Sequence, residues 1–384
     1  MAAMSVKEKI TSLAREYLID IQEIRHFINS HPEESFREFE TASFVEKKLD
    51  EWGIGHKRVA ETGIIAVIKG NDPERRRVAL RADMDAIFVE GKLMHACGHD
   101  AHTAMLLGVA KILNSLKDSL KGTFICIFQP GEEKVPGGAK LMMENDVVDT
   151  ADFVIGQHVF PDLECGKIGI PSGVCMASCD ELNVKVTAQG GHAAKIHQRK
   201  NTVLAASVFV SRLADEFPEK DDAPIVAFGR FIADGTYNAI PSEVNLKGTM
   251  RTFDENQRRE IKLKINEIAK NVANLYGVDV NVVIDSGYPS LKNDSNLEKI
   301  VTAAAIDLVG KDNVVAVEKM YTAEDFAWYS HQKPSFFYRL GCANAAKGIT
   351  GKQHTKEFDI DENCLEIGME MMCLTAVSEN QGEV

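Results

Sequence analysis

Residues 94–113, MHACGHDAHTAMLLGVAKIL, pass from a polar loop into an apolar helix and stand between two short apolar runs. The runs are residues 78–82 (VALRA) and 123–128 (TFICIF), and their length and composition predict buried strands. Strands that are apolar throughout and alternate with helices are typical of a largely parallel sheet covered on both faces. The sequence therefore predicts an α/β domain around this stretch.

The polar loop of this stretch carries side chains that bind metal ions. Cys97 and His99 are two residues apart and can point the same way from an extended loop, which suits a borderline-soft cation such as zinc. We expect Asp100 to cap the following helix, so that the positive end of the helix lies near Cys97 and favours its thiolate form. A buried cysteine beside an ordinary helix cap would give the same short pattern, so the pair needs partners elsewhere in the chain.

Further polar side chains follow or end these two predicted strands and a third, residues 153–159 (FVIGQHV). They are Asp83, Asp85, Glu132, Glu133 and His158. Ligands of open α/β sheets bind beyond the carboxyl ends of the strands, so we expect Cys97 and His99 to meet four of these side chains at one edge, namely Asp83, Glu132, Glu133 and His158. Taken singly, a glutamate pair after a strand is usually exposed turn charge, and a histidine near a strand end is usually a core residue. Their coincidence at strand ends favours a common site.

The pattern changes near Ser178 and changes back near Ser295. Between these points the predicted elements follow the order β-α-β-β-α-β, which is the ferredoxin-like arrangement. We therefore predict a discontinuous α/β domain, residues 1–177 and 288–384, into which an α+β domain at residues 178–287 is inserted.

Composition excludes some classes of function. The chain has 384 residues and a net charge of -13, from 57 acidic and 44 basic residues, whereas nucleic-acid binding needs a basic face. Its 8 cysteines are too sparse for a disulfide scaffold. The first residues lack the apolar core of a signal peptide, and no apolar run is long enough to cross a bilayer. We expect a cytoplasmic protein that binds neither nucleic acid nor membrane.

Specific motifs follow one another along nearly the whole chain. They are RADMDAI, MHACGHDAHTAMLLG, FQPGEE, GQHVFP, GGHAAKIH, NAIP, GTMR, AEDFAWY and QHTKEF. In this order they resemble the metal-dependent aminoacylase/carboxypeptidase family, and most of all its amidohydrolase branch of hippurate hydrolases, N-acetyl-diaminopimelate deacetylases and plant auxin-conjugate hydrolases. The resemblance implies a zinc-peptidase-like α/β catalytic domain. It also implies that the inserted domain is a lid and dimerisation domain, so we expect a homodimer.

The resemblance further implies roles for individual residues. It implies two divalent metal ions per subunit, Zn²⁺ or Mn²⁺ with Co²⁺ or Ni²⁺ as alternatives, and five protein ligands suffice for two close ions only if one group or a water bridges them. These ligands are Cys97, His99, Glu133, His158 and His354. Glu132 matches the general base, and Asp83 matches an acidic residue that orients a metal-bound imidazole. Substrate contacts are implied for His192, reaching across from the partner subunit, for Asn238, and for Arg251, which can bind a free carboxylate.

The chemistry of amides agrees with these roles. An amide does not react with neutral water at a useful rate, whereas metal-bound water loses a proton near neutral pH, and Glu132 would accept that proton. We therefore predict a dinuclear-metal amidohydrolase that cleaves the amide bond of an N-acyl, for example N-acetyl, amino acid. The alternatives are a metal-dependent carboxypeptidase or dipeptidase on the same scaffold, and a catalytically silent homologue that binds an N-acyl amino acid. The presence of Glu132 and of every implied ligand argues against the silent homologue.

Three positions depart from the family pattern without touching the implied ligands. Only FVEGKL stands between Ile87 and Met94, where the family carries a longer loop, so substrate specificity is open there. Ile196 stands where relatives have Pro, which would change how His192 is presented. Asn29 replaces a His that is common in the family.

Overall fold

The computed structural model describes residues 4–378, which divide into two compact units. The first unit comprises residues 4–175, 292–318 and 324–378, and the second comprises residues 176–291 and 319–323. Within the described part of the chain, no helix combines the length and the apolar character that a membrane span requires.

The elements are numbered in chain order. The α-helices are α1 (Val6–Ser30), α2 (Phe39–Glu51), α3 (His99–Leu116), α4 (Gly138–Met143), α5 (Thr202–Glu216), α6 (Glu255–Tyr276), α7 (Ser295–Val309), α8 (Ala327–Gln332) and α9 (Asn363–Ser378). The strands are β1 (His56–Val59), β2 (Gly63–Lys69), β3 (Arg77–Asp83), β4 (Ile87–Val89), β5 (Lys92–Met94), β6 (Thr123–Gln129), β7 (Phe153–Glu164), β8 (Ile168–Pro171), β9 (Val174–Met176), β10 (Asp180–Thr187), β11 (Gly191–His192), β12 (Ile225–Ile232), β13 (Ala239–Ile240), β14 (Glu243–Arg251), β15 (Asp279–Ser286), β16 (Leu291–Lys292), β17 (Val314–Val317) and β18 (Ser335–Ala343).

The first unit is built on a mixed sheet with the strand order β1-β2-β6-β3-β7-β18-β8-β17. The central strands β6, β3, β7 and β18 run parallel to their neighbours in that group. Antiparallel pairs flank them, because β6 pairs with β2, β2 with β1, and β18 with β8 in that sense. The predicted α/β fold class is confirmed. The predicted parallel arrangement holds at the centre of the sheet, where the site residues are.

Helix α3 is packed between the sheet and two other helices, α1 and α9. Nearly all of its residues are buried, as the absence of a polar face in its sequence requires. The contact with α9 is so close that a Cβ at Gly108 would overlap the sulfur of Met369. This packing fixes the helix, and with it His99, the first residue of the helix and a predicted metal ligand.

The second unit contains a four-stranded antiparallel sheet with the order β12-β14-β10-β15. Along the chain its main elements follow the order β10-α5-β12-β14-α6-β15, which is the ferredoxin-like β-α-β-β-α-β arrangement. Buried and more exposed residues alternate along β10, and the buried set joins a core that α5 and α6 complete. One face of this sheet is therefore covered by helices.

Residues 319–323 belong to the second unit, although the sequence pattern places them in the catalytic domain. The backbone N–H of Ala177 approaches the carbonyl oxygens of Met320 and Thr322 at 3.1 and 3.2 Å. The Tyr321 hydroxyl donates to the carbonyl of Ala223 at 2.7 Å, and its ring packs on Phe253. Contacts between residues so distant in sequence leave no signal in local periodicity.

Candidate metal centre

The five predicted metal ligands lie close together in the first unit. The donor atoms of Cys97, His99 and His158 are all within 4.8 Å of one another, and so are those of Cys97, Glu133 and His354. Cys97 belongs to both groups, so its sulfur is the donor that they share. A shared sulfur is one of the bridges by which five protein ligands could serve two cations.

The ring of His99 turns its Nε2 toward the first group. Its Nδ1 lies 3.1 Å from Asp85 Oδ1, so Nδ1 carries a hydrogen and Nε2 is the nitrogen that could bind a cation. Nε2 is buried and has no hydrogen-bond partner within residues 4–378. Buried polar atoms are nearly always paired, and an unpaired one suggests an additional ligand. Because thiol, imidazole and carboxylate donors are the ligands that zinc prefers, these residues fit the predicted divalent cation.

Asp85 holds several parts of this centre in place, and sequence reasoning did not select it as a site residue. Besides His99, its carboxylate accepts from the backbone N–H groups of Glu132 and Glu133 at 3.1 and 3.0 Å. The Ser35 hydroxyl donates to it at 2.6 Å. Burial opposes its ionisation, but hydrogen bonds from His99 and Ser35 lower the pKa of Asp85 below its ordinary value. A carboxylate in this position fixes the tautomer and direction of a metal-binding imidazole. The feature of the sequence that could have identified Asp85 was its place as the second Asp of the motif RADMDAI.

Asp83, which the sequence placed behind the ligands, acts on a different histidine. Its Oδ1 lies 2.6 Å from His102 Nδ1, whereas the shortest approach to His99 Nε2 is 3.7 Å. His102 Nε2 accepts from the backbone N–H of Val159 at 2.9 Å, so the proton of the His102 ring lies on Nδ1, toward Asp83. Asp83 therefore holds, through His102, the part of β7 that carries His158.

The start of α3 differs from the prediction that Asp100 caps the helix. The N-cap is Gly98, whose φ of 90° lies in the left-handed region, and no side chain caps the helix. Asp100 lies in the first turn and accepts from Arg25 Nε at 3.0 Å and from Asn29 Nδ2 at 2.9 Å. The glycine permits the turn that makes His99 the first helical residue, and a Cβ at that position would overlap Val159.

The thiol of Cys97 also differs from expectation. Burial, followed by the negative charge of Glu133, raises the pKa of Cys97 above its ordinary value. Burial therefore acts against the thiolate, opposite to the effect expected of the helix end. A divalent cation at the sulfur would supply the positive charge that stabilises a buried thiolate.

Glu132, the predicted general base, lies among carboxylates at the edge of the donor groups. Its Oε1 accepts from the backbone N–H of Asp325 at 3.3 Å, and its donor atoms group with those of Glu324 and Asp325 within 4.8 Å. Burial raises the pKa of Glu132 well above its ordinary value, and the charges of Glu324 and Glu133 act in the same direction. A carboxylate with a raised pKa is a stronger proton acceptor.

Arg81 supplies the countercharge for these carboxylates. Its side chain is fully buried and binds Asp83 at 2.6 Å, Glu324 at 3.0 Å and Asp325 at 2.7 Å. Its Nε donates to Gln129 Oε1 at 2.9 Å. The motif AEDFAWY thus contributes Glu324 and Asp325 to a buried ion network, a role that the sequence did not reveal.

His354 reaches the centre from a loop that is bound to the Cys97 loop. Its backbone N–H donates to the carbonyl oxygen of Ala96 at 2.8 Å. Its φ of 61° is uncommon for a residue with a side chain and persists only where the surroundings determine it. Its Nε2 lies 3.2 Å from Glu133 Oε1, so the loop presents the imidazole to the second donor group.

The three predicted substrate contacts lie in the second unit. The structure brings His192 and Asn238 close together, because β11 pairs with β13 and the Ala193 N–H donates to the carbonyl of Asn238 at 2.7 Å. Arg251 is the last residue of β14 and pairs in register with Ile225. The parts that these three residues play toward a substrate stay predictions.

The model of peptidase family M20/M25/M40 matches residues 79–378, which is most of the chain. The chain belongs to the M20 peptidase family. This M20 protein is similar to the N-acyl-L-amino acid amidohydrolase of Geobacillus stearothermophilus, at 36% identity over 302 residues that cover 75% of this chain and 81% of the relative. It is also similar to thermostable carboxypeptidase 2 of Saccharolobus solfataricus, at 32% identity over 392 residues that cover 97% and 99%.

A solved structure of the M20 family has the same fold. The YXEP protein of Bacillus subtilis, described as a dinuclear metal binding peptidase, superposes with a TM-score of 0.83 and 30% identity, covering 96% of this chain and 100% of that one. The predicted family resemblance, the zinc-peptidase-like fold and the classification as a hydrolase are confirmed. The M20 protein acts on small amide or peptide substrates and has candidate metal-ligand clusters.

Proposed function

We propose that this M20 hydrolase cleaves the amide bond of N-acyl amino acids. The observation that carries the proposal is the placement of Glu132, whose donor atoms lie within 4.8 Å of those of His99 and Glu133. The similarity to an N-acyl-L-amino acid amidohydrolase supports this substrate class. The similarity to a carboxypeptidase makes a carboxypeptidase or dipeptidase activity the second candidate.

Two groups of side chains would hold the cations. One divalent ion would bind Cys97, His99 and His158, and a second would bind Cys97, Glu133 and His354. Bound there, such ions supply the Lewis acidity that activates water and polarises a carbonyl group. Thiol and imidazole ligands favour Zn²⁺, and carboxylate ligands also accept Mn²⁺, so we propose one of these two as the native metal.

Glu132 moves the proton in the proposed reaction. One carboxylate oxygen takes a proton from the attacking water, and the group returns it to the nitrogen of the departing amino acid as the C–N bond breaks. The water oxygen leaves in the released carboxylic acid. The backbone N–H of Asp325 holds Glu132 Oε1, and Asp85 holds the backbone of Glu132 and the ring of His99. The base and one donor group are thus fixed by shared hydrogen bonds.

The second unit is the proposed lid and dimerisation domain. From the family resemblance we propose that His192 donates to the developing oxyanion, that Asn238 contacts the substrate and that Arg251 binds its free carboxylate. A bidentate pair with Arg251 would select substrates that keep a carboxylate beside the scissile amide, which both N-acyl amino acids and dipeptides do.

Replacing His158 or His354 by Ala is expected to lower metal content together with activity, because each change removes one ligand of a different donor group. Metal per chain, measured by elemental analysis after dialysis, should approach two in the wild type and fall in each variant. His197→Ala, which changes an exposed histidine of the second unit, is the matched control. Full metal occupancy in a chain that lacks both His158 and His354 would refute the ligand assignment.

The protein is expected to be a homodimer through its second unit. In that unit β12 is an edge strand, and it exposes Phe231 and Ile232, an apolar pair that a second copy could cover. Sedimentation at micromolar concentration should give a dimer, and Phe231→Glu should shift it toward monomer. A wild-type protein that sediments only as monomer would contradict this prediction.

A substrate panel tests the proposed function. N-acyl amino acids with varied acyl groups and side chains are compared with dipeptides in the presence of zinc, manganese or cobalt. The proposal expects N-acyl amino acids to have the higher kcat/KM. Faster cleavage of dipeptides would favour a carboxypeptidase or dipeptidase activity, and binding without turnover would indicate a silent homologue.

A further inference from the structure

Gln353 stands immediately before His354, and its side-chain amide reaches two other proposed metal ligands. Its Nε2 lies 3.8 Å from Cys97 Sγ, 3.2 Å from His158 Nδ1 and 3.4 Å from the carbonyl oxygen of Val159. The side chain is part-buried, and its loop is the one that carries His354. One amide group therefore lies against both Cys97 and His158, while its backbone neighbour contributes the fifth ligand.

The hydrogen on the His158 ring can be placed by its neighbours. His158 Nδ1 lies 2.8 Å from the carbonyl oxygen of Val159, which can only accept, so Nδ1 is the protonated nitrogen. Nε2 then presents its lone pair on the side of Cys97, whose sulfur is 3.5 Å away. Because a protonated Nδ1 cannot accept, the two amide hydrogens of Gln353 are left with Cys97 Sγ and the Val159 oxygen as acceptors.

We propose that Gln353 is a positioning residue of the metal centre. Its amide donates to the sulfur of Cys97 and, through the Val159 carbonyl that it shares with His158, restrains the imidazole ring. Hydrogen bonds of this kind orient ligands and reduce the negative charge that a thiolate presents to a metal ion. Because Cys97 belongs to both donor groups, the side chain of Gln353 influences both groups. This inference rests on the metal centre of the proposed function and adds a residue that the ligand set does not include.

Gln353→Leu tests the inference, because leucine retains much of the side-chain bulk and removes the donor. In metal-free protein titrated with Co²⁺, affinity is expected to fall about 10- to 100-fold, the usual effect of losing such a hydrogen bond. The sulfur-to-cobalt absorption band should move to longer wavelength, because the sulfur electrons lose a stabilising contact. The melting temperature of the metal-free protein should stay unchanged. Lys352→Ala is the matched control, since Lys352 precedes Gln353 and its exposed side chain pairs with Asp162.

Each outcome separates this inference from the proposed function. A wild-type affinity and an unshifted band in Gln353→Leu would overturn the positioning role. A lower melting temperature of the metal-free variant would also overturn it, because the amide would then support the fold rather than the ligands. Cys97→Ser is the reference variant, because without the Cys97 sulfur it should lack the sulfur-to-cobalt band. If wild-type protein shows no sulfur-to-cobalt band, the shared Cys97 ligand is wrong, and the inference falls with it.

Discussion

Glu132→Gln is expected to lower kcat by at least about 10²-fold while metal content and fold stay nearly intact. The amide cannot accept the proton of the attacking water, although it has nearly the shape of the carboxylate. Its oxygen can still accept from the Asp325 N–H, which lies 3.3 Å from Glu132 Oε1. Substrate affinity should change little, because the proposed carboxylate contact, Arg251, is not altered.

Glu133→Ala is the matched comparison for this experiment. Adjacent residues beyond a strand end point in different directions, and the donor atom of Glu133 groups with those of Cys97 and His354. Removing it should therefore weaken metal binding, in contrast to Glu132→Gln. Metal content, substrate affinity and kcat are measured on both variants. Near-normal kcat in Glu132→Gln, or loss of metal there but not in Glu133→Ala, would show that the two roles are wrongly assigned.

Arg81→Met is expected to lower the free energy of unfolding by about 3–5 kcal/mol. The guanidinium is fully buried and binds Asp83, Glu324 and Asp325, so its loss leaves buried carboxylates without their countercharge. Methionine fills much of the same volume, which makes the lost charge the main change. The measurement is urea unfolding of the metal-free protein.

Arg77→Met provides the control on the same strand, β3. Arg77 pairs with Glu74, whose side chain is 77% exposed, and such a surface pair contributes less than about 1 kcal/mol. If Arg81→Met lowers the free energy of unfolding no more than Arg77→Met does, the buried ion network stabilises the fold no more than a surface ion pair.

Local patterns predicted the central strands, α3 and the chain positions of the ligand motifs. The strands β3, β6 and β7 are buried along most of their length, so their sequences are continuous apolar runs that can be recognised without tertiary information. The edge strand β1, His56–Val59, was not predicted, because its sequence HKRV has no apolar periodicity. Its pairing with β2, rather than its own composition, makes it a strand.

The sequence did not predict which charged groups pair with one another. Arg81 binds Glu324 across 243 residues of sequence, and the Asp85–His99 contact depends on how β3 and α3 are placed in space. The sequence placed both aspartates of RADMDAI at a strand end, but it assigned a role in the site only to Asp83. Only the three-dimensional arrangement shows that Asp83 faces His102 and Asp85 faces His99. The same limit applies to Gln353, whose partners come from the Cys97 loop and β7.

Metal-dependent amide hydrolysis is tested by supplying an N-acetyl amino acid to metal-free protein and adding Zn²⁺ or Mn²⁺ back in steps. Release of the amino acid should be negligible at first, should rise with each addition and should level off at about two ions per chain. Glu132→Gln, carried through the same titration, should bind the ions without comparable turnover. Equal turnover by the metal-free and the metal-loaded wild-type protein would contradict metal-dependent hydrolysis.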